Sequence, residues 1–99
     1  MKLNLKQTFK NLKGEDVKVE NETLTLGIIL ANIVLAPHKD KNGFRPLKSW
    51  ELGKKLYEND IIELDMSDFI QIKELVENHE NYFPFILGQV LEMLIKAEK

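Results

Sequence analysis

A chain of 99 residues with 43% apolar and 30% charged side chains has the composition of one globular domain, and is read here as a single domain over 1–99. The absence of cysteine excludes disulfides, thiolate metal sites and cysteine nucleophiles, and fits a reducing compartment such as the cytoplasm. The formal charge of −2 hides an asymmetry: residues 1–50 hold nine Lys/Arg against five Asp/Glu (+4), and residues 51–99 hold five against eleven (−6). Such a split fits either two solvated faces of one molecule or a head-to-tail contact between copies.

The opening Met1-Lys-Leu-Asn-Leu-Lys alternates and lacks the continuous apolar run of a signal peptide. Leu3, Leu5 and Phe9 alternate with polar residues, as do Val17 and Val19, and Asn11 to Asp16 between them has turn chemistry centred on Gly14. The pattern predicts an N-terminal β-hairpin with a lysine-coated solvent face. Leu24 to Ala36 follows, with ten apolar residues in thirteen. At about 1.5 Å per residue this segment is too short to span a bilayer, so it predicts a central helix covered on every side. Thr23 or Thr25 suits its N-cap, and Pro37 marks its end.

Asn42-Gly43 predicts a tight turn, and Pro46 the first position of a second helix over roughly 46–59. Ile61 to Asp65 reads as a third strand, with Ile62 and Leu64 on one face. Ser67-Asp68 predicts the start of a third helix over about 68–79, which Glu80-Asn81 breaks, and Pro84 opens a last, broadly apolar helix. The expected fold is α+β, β-β-α-α-β-α-α: a small antiparallel sheet packed with about four helices. Two such apolar helices also predict a homo-oligomer.

Three stretches carry a resemblance. The lysine-rich opening leads into Leu24-Thr-Leu-Gly. Later come Leu64-Asp-Met-Ser-Asp-Phe-Ile-Gln-Ile-Lys-Glu-Leu-Val76 and Pro84-Phe-Ile-Leu-Gly-Gln-Val-Leu-Glu-Met-Leu94. Together the pattern resembles small uncharacterised proteins of tailed bacteriophages and prophages. The resemblance implies a viral protein acting in the cytoplasm of a bacterial host, and it supplies packing and capping residues without catalytic ones.

The chemistry-bearing residues are few. His38 and His79 are the only histidines, and the glycines are isolated, so neither a phosphate-cradling loop nor a Ser/His/Asp set is present. Glu63, Asp65 and Asp68 lie close in sequence, but strand and helix-cap positions account for each. The expectation is therefore no enzyme, no metal and no cofactor. The segment 37–50 is different. It gathers Lys39, Lys41, Phe44, Arg45, Lys48 and Trp50 against Asp40 alone, including the only arginine and the only tryptophan. Guanidinium forks onto phosphate and aromatic faces stack on bases, so these six are the candidate ligand-binding residues, Arg45 and Lys41 for phosphate and Phe44 or Trp50 for a base. The alternative for this segment is that Phe44 and Trp50 anchor it to the core while the lysines stay in water. Duplex DNA is not expected, because no helix has a basic recognition face and the second half is acidic.

The function expected from the sequence is a non-catalytic, oligomeric phage accessory protein that counters host defence by binding, with a cyclic oligonucleotide second messenger or a host protein as target. The competing expectation is a virion-assembly or chaperone-like protein that holds another phage protein through an apolar helix face.

Overall fold

The computed structural model describes residues 1–36, 44–79 and 82–98. The expectations for Pro37, His38, the Asn42-Gly43 turn and the Glu80-Asn81 break lie outside those residues. The fold is α+β. Its elements are β1 (Lys2–Asn4), β2 (Lys18–Val19), β3 (Glu22–Thr23), α1 (Leu26–Leu35), α2 (Pro46–Glu58), β4 (Ile61–Glu63), α3 (Met66–Glu77) and α4 (Pro84–Ala97).

The alternation of Leu3, Leu5 and Phe9 does what it predicts, burying all three. Regular strand stops at Asn4 because the Asn4 side chain accepts the Lys6 N–H at 2.9 Å, an Asx turn that bends the chain. The chain then reverses over 11–15. There the Asn11 carboxamide accepts from the Lys13 and Glu15 N–H groups, and Gly14 takes φ +82°. The two arms of this reversal meet at an antiparallel Lys10–Asp16 bridge, reinforced by their side-chain ion pair.

The expected single sheet is divided in two. β1 pairs antiparallel with β4, the strand that follows α2, with Leu3 opposite Ile62. β2 pairs with β3 through a second, tighter hairpin whose two loop residues, Glu20 and Asn21, have φ of 53° and 67°. Positive φ at both positions is the type I′ geometry, whose twist matches that of the strands it joins.

Helix α1 is the spine. Thr25 caps it, accepting from the Ile28 N–H, and Ala36 leaves in extended conformation as a residue before proline should. Seven of its ten residues are buried. Two glycines let α2 approach it: a Cβ on Gly27 would lie 2.5 Å from the Leu56 carbonyl oxygen, and one on Gly53 would lie 2.7 Å from the Leu35 side chain. Pro46 and Pro84 each occupy the first turn of their helices as expected.

α3 begins two residues before the expected position, because Asp65 is the cap. Its carboxylate accepts the Asp68 N–H at 2.8 Å, and Ser67 donates its hydroxyl to the same carboxylate at 3.0 Å. The N-terminal arm is tied to α4 by one side chain, since the Gln89 carboxamide both accepts the Lys10 N–H and donates to the Lys10 carbonyl, each at 2.9 Å. Among the described residues the core is wholly apolar, with no buried polar or charged side chain.

Gly27 in α1 and Gly88 in α4 have opposite surroundings, so they answer the same substitution with opposite sign. Gly27→Ala forces a methyl onto backbone and is expected to destabilise by about 1–3 kcal/mol. Gly88 has nothing within 4 Å of its would-be Cβ, so Gly88→Ala is expected to stabilise by about 1 kcal/mol through helix propensity alone. Urea denaturation midpoints of the two variants check both signs.

Candidate functional site

Of the six candidate residues, Lys39 and Lys41 lie outside the described residues, and the other four divide between two sides of α2. Phe44 is half-buried and packs against the core, and its carbonyl accepts the Ser49 hydroxyl at 3.1 Å, a bond that ties the entry of α2. Arg45 is the N-cap position, with no side-chain capping bond. Its guanidinium is exposed and opens onto a cleft of about 400 Å³ between the first half of α2 and the start of α3. Arg45, Leu47, Lys48, Glu51, Leu52, Lys55 and Asp68 line that cleft.

Lys48 spans it. Its ammonium bonds Asp68 at 2.7 Å and lies 5.4 Å from the Phe44 ring centroid. That hydrogen bond to Asp68 raises the Lys48 ammonium above the ordinary lysine range, with the Asp68 and Asp65 charges adding to it. The cleft therefore holds three cations against two carboxylates, with Lys48 already committed to Asp68 and the Arg45 and Lys55 side chains open.

Trp50 is elsewhere. Two residues of α-helix turn through about 200°, so Trp50 and Lys48 leave α2 on opposite sides. Trp50 is 55% exposed, with the Lys54 ammonium 5.3 Å from its ring centroid, and it does not line the cleft. Anchoring to the core therefore describes Phe44 and not Trp50.

Lys55 and Glu51 belong to the cleft without having been singled out from the sequence, and Asp68, read there as a helix-start acid, belongs to it as well. The first two follow Lys48 at helical spacing, a signal that was available. Asp68 is twenty residues away and reaches Lys48 only through the packing of α3.

The three clustered carboxylates are dispersed in role. Glu63 lies 3.9 Å from the Met1 amine, Asp65 caps α3, and Asp68 holds Lys48. No group of three or more His, Asp or Glu side chains suited to a metal stands together among the described residues. His79 follows the end of α3 and packs its ring against Tyr82, 5.3 Å between centroids. No described helix is long and apolar enough to cross a membrane. Comparison with family models, with curated proteins and with solved structures returns no match.

The cap of α3, beside the cleft, titrates with the fold. The Asp68 N–H holds the Asp65 carboxyl below the usual aspartate range, with Ser67 next in effect. A depressed folded-state pKa stabilises above the unfolded value, near 3.8, and that contribution is lost as pH falls through the folded value. Asp65→Ser keeps a capping oxygen without a titrating charge. Its stability deficit relative to wild type is expected to shrink as pH drops below about 4, measured as urea midpoints across the acid limb.

Proposed function

We propose that this is a non-catalytic binding protein that takes an acidic small ligand in the cleft between α2 and α3. What supports the reading is one observation: two open cations, Arg45 and Lys55, face a 400 Å³ concavity whose third cation is already fixed in place. Guanidinium and ammonium groups on a rigid helix are the usual donors to phosphate. The protein-side acid Asp68 positions Lys48 and leaves Arg45 and Lys55 for the ligand's charge.

The resemblance to phage proteins gives this binding a setting, sequestration of a nucleotide second messenger that a bacterial defence depends on. Under that reading Arg45 and Lys55 engage phosphate and Phe44 offers the nearest aromatic edge, while Trp50 takes no part. A second reading, a phage assembly or chaperone-like protein, draws support from the start of α4. Phe83 and Phe85 are exposed there and stack with centroids 6.2 Å apart. Leu91 is only half-exposed and Leu94 is buried, so the apolar surface available to a partner here consists of Phe83 and Phe85.

Calorimetric titration with cyclic di- and trinucleotides tests the first reading. Binding is expected to weaken at least about tenfold in Arg45→Ala/Lys55→Ala, the loss of roughly 1.4 kcal/mol, and to be unchanged in Trp50→Ala. Absence of heat with every cyclic nucleotide removes the messenger version. Recovery of capsid or tail proteins on a tagged wild-type chain, but not on Phe83→Ser/Phe85→Ser, selects the second reading.

A further inference from the structure

On the side of α2 away from the core, Leu47, Trp50, Lys54 and Tyr57 follow one another at spacings of three, four and three residues. That is the interval at which side chains of a helix form one continuous seam for a neighbouring helix. Leu47, Trp50 and Tyr57 are 70%, 55% and 62% exposed, whereas Leu52, Gly53 and Leu56 on the core-facing side are buried against the rest of the fold. A monomer thus leaves three large apolar side chains in water on three turns of a well-packed helix.

We infer that a second copy of this chain covers the seam, with the two α2 helices antiparallel across a two-fold axis that passes between residues 52 and 53. The charges on this face select that occupant. In this register Glu51 of each copy meets Lys54 of the other, so both charge pairs form at once, and Leu47 of each meets the Tyr57 end of the other. Glu58 of each copy arrives at the N-terminus of the other's α2, which has no acidic residue of its own in the first turn and no side-chain cap. An acid there complements the helix dipole. A parallel pairing sets Lys54 against Lys54 and is disfavoured.

The Lys54 ammonium already rests on the Trp50 ring, which keeps its charge on the seam where Glu51 of the second copy meets it. The seam shares Leu47 and Glu51 with the lining of the cleft, so the two surfaces meet along that border.

From Leu47 to Tyr57 the seam is only about 15 Å long, so the pairing is weak, with a dissociation constant on the order of 10–100 µM. Sedimentation equilibrium over a concentration series reaching about 1 mM tests it. Wild type is expected to dimerise, and Glu51→Lys or Lys54→Glu alone to weaken the dimer at least about tenfold. Glu51→Lys with Lys54→Glu together is expected to restore it, because the swapped charges again face their opposites. Both substitutions lie on exposed positions, and far-UV circular dichroism checks that each of the three variants keeps its helix. A monomer throughout the series overturns the inference. So does a dimer indifferent to both single substitutions, or one that the double substitution fails to recover.

Discussion

A helix with a single sizeable polar side chain has to be enclosed, and the fold is arranged to enclose α1. The N-terminal arm covers its start, with Gly27 donating to the Leu5 carbonyl at 2.9 Å. α2 lies close enough that only glycine fits at Gly27 and at Gly53 without displacing a neighbour. α3 packs along it, and its single amide, Asn32, reaches the edge and donates to the Tyr82 hydroxyl at 3.0 Å. Pairing β1 with β4 rather than with its sequence neighbour serves the same end. It draws the chain's first residues across the molecule, with Leu5 set beside Gly27 of α1 and Leu3 buried in the same core.

An all-apolar interior pushes every described charge to the surface, so the protein's chemistry is decided by how surface charges are grouped. A few pair at the surface, as Lys6 does with Asp60 at 3.3 Å, and exposed pairs of this kind contribute little to stability. Lys48 and Asp68 differ, because their bond joins two helices and fixes the wall of a cleft. Part of the sequence asymmetry of +4 and −6 becomes contact within one molecule, because Lys6, Lys48 and the Met1 amine each meet an acid from the second half.

Signals that act within a few residues were legible. Thr25, Pro46 and Pro84 mark helix starts because capping and proline geometry are local, and Gly14 marks a turn for the same reason. The Asp65 cap was hidden by Met66, whose apolar side chain extends the look of the preceding strand, while Ser67-Asp68 offers an equally plausible cap two residues on. The second hairpin was hidden because Glu20-Asn21 occupies a type I′ turn without glycine, and the strands it joins are two residues long. The division of the sheet was not legible at all. The choice of β4 as partner for β1 is settled by enclosing α1, a constraint that no local window contains.

The candidate site teaches the same lesson in a sharper form. Arg45, Lys48 and Trp50 are neighbours in sequence, and residue types alone make them one recognition set for a nucleotide. Helical periodicity separates them: a ligand that met both Lys48 and the Trp50 ring would have to pass around a helix about 10 Å across. A nucleotide lodged in the cleft cannot do that. The positive side of α2 and its aromatic side therefore cannot serve one ligand together. One is a concavity lined by three cations, of which Lys48 is held by Asp68, and the other is a straight seam. Cleft and seam share Leu47 and Glu51 at their border, so in the proposed dimer side chains that rim the cleft also meet the neighbouring helix.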